Sequence, residues 1–155
     1  MRRLERSKRS LQAEAVFYHD VFMTEYWKGL STTHRLVTHL VWCPKYRRRV
    51  LIGTLVKRLE ALFMECCQVN RWEIHELAIQ KDHVHMIIQT HPKEEIARVV
   101  QLLKGGSSKV IREEFPELQE FLWGDSLWND GYFAESIGTK HESVMRAYMR
   151  NQNKS

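Results

Sequence analysis

The sequence has no long hydrophobic run. None of its apolar stretches approaches the roughly 20 residues that a membrane-spanning helix needs. The N-terminal stretch MRRLERSKRSLQAEAVFYHD is basic, but it contains neither an apolar core nor a small-residue cleavage site, so it does not resemble a secretory signal. These absences predict a protein that does not enter a membrane and that works in the cytoplasm.

Cysteine, proline and low-complexity sequence are also scarce. The cysteines are Cys43, Cys66 and Cys67, too few and too badly placed for a disulfide framework, so we expect reduced thiols that serve mainly in packing. Neither an internal repeat nor a flexible linker divides the 155 residues. The length suits one domain with a real core, and we expect that domain at residues 32–155, preceded by a basic extension at 1–31.

What the sequence does have is an excess of positive charge, +5 at pH 7 with a pI near 9.2. One basic cluster lies at residues 2–9 and a second, Lys45 with Arg47, Arg48 and Arg49, follows the first predicted strand. Basic clusters at loops are typical of phosphate contacts, although either cluster could be an ordinary solvated surface.

Hydrophobic periodicity predicts alternating strands and helices. Apolar residues at helical spacing begin after Thr54, a candidate N-cap, and a parity shift between Ile74 and Leu77 predicts a β-bulge. The last helix has Thr139 or Ser143 as its candidate cap, and the GGSS sequence is expected to break or kink the helix before it. The predicted strands are 33–46, 71–80, 83–90 and 130–137, and the predicted helices are 53–71, 93–115 and 141–152.

This order predicts an α+β protein of the ferredoxin-like, or RRM-like, type: a βαββαβ antiparallel sheet with an added C-terminal helix. Such a sheet has one face covered by helices. We expect the other face to be open, and an open sheet face is a natural platform for single-stranded nucleic acid.

Two histidines stand one residue apart in the stretch KDHVHMIIQ. Alternation along a strand places His83 and His85 on one face and the apolar residues between and after them on the other. The two imidazoles could chelate one metal ion, with Asp82 as a ligand, an orienting partner or a turn residue, and His75 as a weaker candidate ligand. The alternative is a pair of polar residues on an exposed strand face.

The last predicted helix places Tyr148 and Gln152 four residues apart, and therefore on one face. By itself this pair has a simple structural reading, in which Tyr148 is a core aromatic and Gln152 belongs to a fraying helix end.

Taken together, these motifs resemble the HUH single-tyrosine transposases of small bacterial insertion sequences. The resemblance rests on an H-x-H strand followed by a late helix with Y-x-x-x-Q, and on the stretches HLVWCPKYRRRVL, LKGGSSKVI and LWNDGYF, in family order from about residue 33 to 152. The family usually has Met-Pro-Asp before the histidines, whereas this chain has Gln80, Lys81 and Asp82. That departure changes the expected geometry of the loop before His83 more than it changes the expected metal ligands.

The resemblance implies a role for each of these residues. Tyr148 would be the nucleophile, and His83, His85 and Gln152 would hold a divalent metal, Mg²⁺ or Mn²⁺. The implied reaction cleaves and rejoins single-stranded DNA at insertion-sequence ends through a 5′-phosphotyrosine intermediate. The resemblance also implies that these ends fold as hairpins. The family works as a homodimer, and whether Tyr148 acts within its own subunit or in the partner is left open.

Charge and position add candidate DNA contacts. Lys45, Arg47 and Arg48 would meet phosphates or a DNA hairpin. The segment containing Gly105, Ser107, Ser108 and Lys109 could let DNA approach the backbone, with a glycine kink as the equally simple alternative.

Two other classes of function stay open at this stage. One is a non-catalytic or domesticated single-strand nucleic-acid binder on the same fold, and the other is a metal-dependent hydrolase of a small molecule. The complete set of two histidines, tyrosine and glutamine favours the transposase.

Overall fold

The structure is a computed structural model that describes residues 26–122 and 126–154, so the predicted basic cluster at residues 2–9 lies outside the described residues. The chain divides into two compact units at the junction of Arg35 and Leu36. In the first unit, β1 (Trp27–Lys28) pairs with antiparallel β2 (Thr33–His34). The predicted boundary between residues 31 and 32 stays a prediction.

The second unit contains the predicted alternation of strands and helices. Its sheet has the order β4-β5-β3-β6 with every neighbouring pair antiparallel, which confirms the ferredoxin-like fold with an added C-terminal helix. The elements are β3 (Leu36–Trp42), α1 (Thr54–Asn70), β4 (Glu73–Gln80), β5 (His83–Thr90), α2 (Ile96–Glu114), β6 (Phe133–Ser136) and α3 (Thr139–Gln152), with short 3-10 turns at Lys45–Arg47 and Pro116–Glu120.

The main core lies between one sheet face and helices α1 and α2. Leu40 and Trp42 of β3 meet Val84 and Met86 of β5 on this face, all of them buried, as strand alternation requires. The Trp42 ring packs edge-on against Phe63 of α1 with centroids 5.5 Å apart. This packing fixes the register of the sheet, because a shift of one residue would turn every apolar side chain to the other face.

The opposite sheet face is not fully open, and that expectation was wrong. Helix α3 packs across it, and Met149 of α3 forms a second buried cluster with Val37, Ala78, Ile87 and Ile137. Ile87 has the same strand parity as the two histidines, yet it is fully buried. The helix therefore covers part of the face that carries the candidate site.

The predicted break at GGSS is also wrong, because α2 runs unbroken from Ile96 to Glu114. Leu103 and Ile111, which flank the glycines, are both buried against the core. The hydroxyl of Ser107 donates to the carbonyl of Leu103 at 2.6 Å, a bond that keeps the serine compatible with the helix. Tertiary packing outweighs the low helix propensity of Gly105 and its neighbour, which is about 1 kcal/mol per glycine.

The helix starts differ from the predicted caps by one residue or more. Gly53, with a positive φ of 63°, precedes α1, so Thr54 is the first helical residue instead of the cap. Gly138 precedes α3, in place of Thr139 or Ser143.

The predicted β-bulge is confirmed, since the register of β4 on β5 shifts between Ile74 and Glu76. In the described part of the chain, no helix is long and apolar enough to cross a membrane.

Candidate active site

His83 and His85 project from the same face of β5, as the alternation predicts. A two-residue turn of Lys81 and Asp82 joins β4 to β5, so that Gln80 pairs directly with His83. The imidazole centroids are 4.8 Å apart and the rings are nearly perpendicular, at 74°. The two rings therefore lie close enough to bind one metal ion together.

Asp82 holds the ring of His83. The Nδ1–H of His83 donates to Oδ1 of Asp82 at 2.6 Å, while the other carboxylate oxygen accepts a hydrogen bond from Nε of Arg47 at 3.2 Å. The hydrogen bond from His83 is the main reason that the pKa of Asp82 is lowered, with the charges of His83 and Arg47 adding to it. An ionised Asp82 fixes the tautomer of His83 and leaves its Nε2 free to bind a metal.

A third imidazole, which the sequence reasoning did not single out, contacts His85. His39 of β3 places its Nε2 3.1 Å from Nδ1 of His85, and the two rings stack at 5.3 Å with an interplanar angle of 11°. The ring of Phe133 meets the other side of His39 edge-on at 5.8 Å. Strand alternation in the sequence could have identified His39. Leu40 faces the main core, so its neighbour His39 must face the other side of the sheet, which carries His83 and His85.

Burial keeps this pair of imidazoles neutral. The pKa of His85 falls to about 4, first because burial disfavours its charged form and then because His83 and His39 lie close. Burial also lowers the pKa of His39, although the charge of Glu135 acts in the opposite direction. Neutral imidazole is the form that binds metals.

Helix α3 brings Tyr148 and Gln152 together. The side-chain amide of Gln152 donates to the hydroxyl of Tyr148 at 3.1 Å. Gln80 donates to the backbone carbonyl of Gln152 at 3.1 Å, so the end of α3 lies next to the residue that pairs with His83. The Tyr148 side chain is 56% exposed, which excludes the simple core-aromatic reading.

A cavity of about 560 Å³ lies between α3 and β6. Tyr148 lines it from α3, and Glu135 lines it from β6. Glu135 is the register partner of His39, and α3 packs on the sheet face that carries the histidines. The structure thus gathers the four predicted catalytic and ligand residues on one side of the sheet.

Buried polar contacts hold α3 on the sheet. Nδ1 of His75 donates to the carboxylate of Glu142 at 2.6 Å, and Nε2 of His75 lies 2.9 Å from Oε1 of Gln89. One turn further along α3, Nε of Arg146 lies 3.5 Å from the carboxylate of Glu76. His75, the weaker candidate ligand, therefore belongs to the contact between β4 and α3.

The predicted DNA contacts after β3 lie around the short turn Lys45–Arg47. Arg47 reaches Asp82 and is thereby tied to the histidine site. Arg48 lines a different cavity, of about 530 Å³, whose walls include Phe115 and Phe121. The Nζ of Lys45 lies 5.8 Å from the centre of the Tyr46 ring. Arg47 is thus placed at the histidine site and Arg48 at a separate cavity.

The α2 segment separates into exposed and buried residues. Gly105 and Lys109 line a cavity of about 570 Å³ together with Lys104 and Arg112. The hydroxyls of the two serines are used within the chain: Ser107 accepts a hydrogen bond from Nε1 of Trp128 at 2.9 Å, and Ser108 accepts one from the N–H of Leu127 at 2.9 Å. The DNA-binding roles of these residues stay predictions. Ser108 also lines the cavity, whereas Ser107 does not.

The donors present suit a divalent metal held by two imidazoles and an amide. Among the described residues, histidine, cysteine, aspartate and glutamate do not form a group of three that could hold an ion. A third protein ligand would then have to be of another type, and Gln152 offers an amide oxygen at the same end of the sheet. His83, His85 and Gln152 are chemically compatible with Mg²⁺ or Mn²⁺ and leave coordination positions open.

Comparison with known proteins gives one consistent family. Residues 32–152 match the family model described as "Transposase IS200 like". The ISDra2 transposase TnpA of Deinococcus radiodurans is 31% identical over 125 residues, which cover 81% of this chain and 89% of that protein. The transposase for insertion sequence element IS200 of Salmonella typhimurium is 28% identical over 114 residues, and the match covers 74% of each protein.

Two solved structures share the fold. A crystal structure of a candidate transposase from Deinococcus radiodurans R1 has a TM-score of 0.68 and 29% identity, and the match covers 81% of this chain and 97% of that one. The REP-associated tyrosine transposase bound to a REP hairpin has a TM-score of 0.57 and 12% identity, over 81% of this chain and 70% of that one. Because the family match spans most of the chain and the relatives agree with it, this protein belongs to the IS200-like family of single-tyrosine transposases.

Proposed function

We propose that this transposase cleaves and rejoins single-stranded DNA at insertion-sequence ends through a covalent bond to Tyr148. The observation that carries the proposal is the cavity between α3 and β6, which Tyr148 shares with Glu135, the register partner of His39. A partly exposed tyrosine thus lies on the helix that packs on the sheet face of His39 and His85, the two imidazoles that burial keeps neutral. We assign the reaction to the domain predicted at residues 32–155.

The proposed chemistry is a transesterification. The hydroxyl oxygen of Tyr148 attacks a phosphodiester phosphorus, forms a 5′-phosphotyrosine and displaces the 3′-oxygen, which leaves as a 3′-hydroxyl after taking up a proton. The phenol loses its proton in the same exchange. Another 3′-hydroxyl can then attack the aryl phosphate, release Tyr148 and join the two DNA ends, so the sequence of steps needs no nucleotide cofactor.

Protonation of the phenol is the main obstacle. A free tyrosine with a pKa near 10 is ionised about once in a thousand at pH 7, a gap of roughly 4 kcal/mol. Gln152 donates a single amide hydrogen bond to the Tyr148 oxygen. That bond orients the oxygen lone pairs and stabilises the phenolate that develops during attack.

His83, His85 and Gln152 would hold Mg²⁺ or Mn²⁺, and the bound ion would supply a Lewis acid that polarises the phosphate and stabilises charge on the leaving oxygen. For Gln152 to serve as a ligand, its amide oxygen must face the histidines while its amide nitrogen bonds Tyr148. One side chain would then couple the nucleophile to the metal site. Asp82 holds His83 in the tautomer that such a site requires.

Arg47 is the best-placed cation for the DNA itself. Its guanidinium bonds Asp82 beside the histidines, yet its side chain is 66% exposed and has donors left for a phosphate. Arg48 and Lys45 would extend this contact toward the flanking strand or a hairpin end. Phe121, which is half exposed in the cavity next to Arg48, offers a surface on which an unpaired base could stack.

We also propose that the protein works as a homodimer. β6 is an edge strand of the sheet, and all four of its residues are exposed. Phe133 on this strand and Val144 on α3 are 51% and 71% exposed, which leaves apolar surface beside a strand edge that no other described strand pairs with. Light scattering of the purified protein should give twice the chain mass, and a monomeric mass at micromolar concentration would contradict this part of the proposal.

The experiment that tests the function is covalent capture. The protein is incubated with Mn²⁺ and single-stranded oligonucleotides that carry the ends of its own element, and the products are separated in denaturant. A protein–DNA adduct should form, and it should disappear with chelator and in Tyr148→Phe. It should persist in Tyr132→Phe, the matched control, because Tyr132 is an exposed tyrosine that directly precedes β6. An adduct in Tyr148→Phe would contradict the assigned nucleophile, and binding without any adduct would favour a non-catalytic or domesticated DNA-binding protein.

A further inference from the structure

The ring of His39 is buried between His85 and Phe133, on the face that carries the candidate metal ligands. It is only 4% exposed, and its Nε2 lies 3.1 Å from Nδ1 of His85. A buried histidine in such a position must be either a packing residue, a third metal ligand, or a partner that orients its neighbour.

The geometry argues against a ligand. Nε2 of His39 is directed at Nδ1 of His85, so it does not converge on the side of the ring where Nε2 of His85 lies. The near-parallel stacking of the two rings, at 11°, is consistent with this side-by-side arrangement. It also agrees with the lack of a three-residue metal group among the residues the structure describes.

The position of one proton decides whether His85 can bind a metal through Nε2. The contact between Nε2 of His39 and Nδ1 of His85 contains a single proton, and either nitrogen can carry it. If Nδ1 of His85 carries it, that N–H donates to Nε2 of His39 and the Nε2 lone pair of His85 is free for a metal. If His39 carries it, His85 keeps a proton on Nε2 and cannot bind through that atom.

We propose that His39 is a positioning residue that accepts a hydrogen bond from Nδ1–H of His85 and thereby directs Nε2 of His85 toward the metal. This inference rests on the proposed metal site. Asp82 does the same for His83, so each ligand histidine has its own partner at Nδ1. Such partners typically contribute about 10- to 100-fold to metal affinity.

The surroundings of His39 hold its ring in place. Phe133 meets the ring edge-on at 5.8 Å, and Glu135 of β6 is the register partner of His39. When Nε2 accepts, Nδ1 must carry the proton, and the structure gives that buried atom no hydrogen-bond partner among the described residues. This tautomer therefore has a cost that metal binding by His85 would have to offset.

The test measures metal affinity without relying on DNA cleavage. Mn²⁺ is titrated into the protein and the free ion is followed by electron paramagnetic resonance. His39→Phe keeps a buried planar ring but removes the acceptor, and we expect it to weaken Mn²⁺ binding by about 10- to 100-fold. His39→Gln restores an acceptor, and it should bind Mn²⁺ much more tightly than His39→Phe. Thermal denaturation of both variants shows whether they are folded.

Controls separate this inference from the proposed function. His91→Gln removes a half-buried histidine directly after β5, whose Nε2 bonds the carbonyl of Arg71, and it should leave Mn²⁺ affinity unchanged. If the wild type binds Mn²⁺ with the same affinity as His83→Ala, the metal site itself is wrong. If wild-type binding depends on His83 and His85 but folded His39→Phe binds equally well, only the positioning role is overturned.

If His39→Phe does not fold, the tautomers of the histidines can be measured in the wild-type protein instead. Long-range ¹H–¹⁵N spectra of the Mg²⁺-loaded wild-type protein distinguish the two tautomers of each histidine. The proposal expects the proton on Nδ1 in both His85 and His39. A proton on Nε2 of His39 in the loaded protein would overturn it, whatever the variants show.

Discussion

The imidazole of His75 and the carboxylate of Glu142 form a 2.6 Å hydrogen bond in which both side chains are almost completely buried. This bond joins β4 to the first turn of α3, the helix that carries Tyr148. It is an unusual way to anchor a surface helix, because a buried charge is costly unless its partner is in place. The position of Tyr148, the proposed nucleophile, therefore depends on a polar contact about two helical turns away from it.

Removing the Glu142 carboxylate should be strongly destabilising. Glu142→Ala leaves His75 buried without its acceptor, and we expect a loss of about 3–5 kcal/mol in the free energy of unfolding. Urea denaturation followed by circular dichroism measures it. Glu114→Ala is the matched control, because Glu114 forms an exposed pair with Arg58, and its unfolding midpoint should not change. Equal effects of the two substitutions would contradict the anchoring role of Glu142.

Gln152 should matter for the chemistry more than for DNA binding. Gln152→Ala removes both the hydrogen bond to the Tyr148 hydroxyl and the proposed amide ligand, whereas it leaves the proposed phosphate contact of Arg47 in place. We expect metal-dependent cleavage to fall while affinity for single-stranded DNA changes little. Asn151→Ala, at the neighbouring exposed position, should behave like the wild type in both assays. A parallel loss of cleavage and binding in Gln152→Ala would argue against a ligand role.

Substitutions in α2 should affect either folding stability or DNA binding, depending on whether the residue is buried or exposed. Ser107→Ala leaves the buried indole N–H of Trp128 without its acceptor, which should cost about 1–3 kcal/mol of stability. Lys109→Ala should leave stability unchanged, weaken DNA binding, and reduce the slope of log affinity against log salt by about 1. Chemical denaturation and binding at several salt concentrations measure the two effects. A DNA-binding defect in folded Ser107→Ala with normal salt dependence in Lys109→Ala would reverse this assignment.

Cys67 should be inert toward alkylation in the folded protein. Burial raises its pKa to about 12, so at pH 8 only about one molecule in ten thousand carries the reactive thiolate. Iodoacetamide should modify Cys67 only after denaturation, as read by peptide mass spectrometry, and Cys66→Ser separates it from its neighbour. Rapid labelling of Cys67 in the native protein at pH 8 would show that α1 does not bury it.

Most of the fold could be predicted from hydrophobic periodicity. Alternation in β5 identified Val84 and Met86 as core residues, and the parity shift in β4 identified the bulge at Ile74. The covered second face could not be predicted in the same way. Helix α3 is held there by Glu142 and other charged side chains, and a pattern of apolar residues assigns such side chains to solvent.

The site was predicted less completely than the fold. The motifs pointed to His83, His85, Tyr148 and Gln152, and the structure places all four on one side of the sheet. His39 was missed because a histidine within a hydrophobic strand gives no motif of its own. Its contact with His85 depends on the pairing of β3 with β5, which joins residues 46 positions apart in the sequence.

The most direct test of the central claim is to locate the DNA linkage in the covalent adduct. The adduct is trimmed with nuclease, digested with trypsin and examined by tandem mass spectrometry. The account predicts a nucleotide 5′-phosphate on the tyrosine of the short peptide AYMR, residues 147–150, which contains Tyr148. A nucleotide on the peptide that contains Tyr132, or on any residue other than Tyr148, would contradict it.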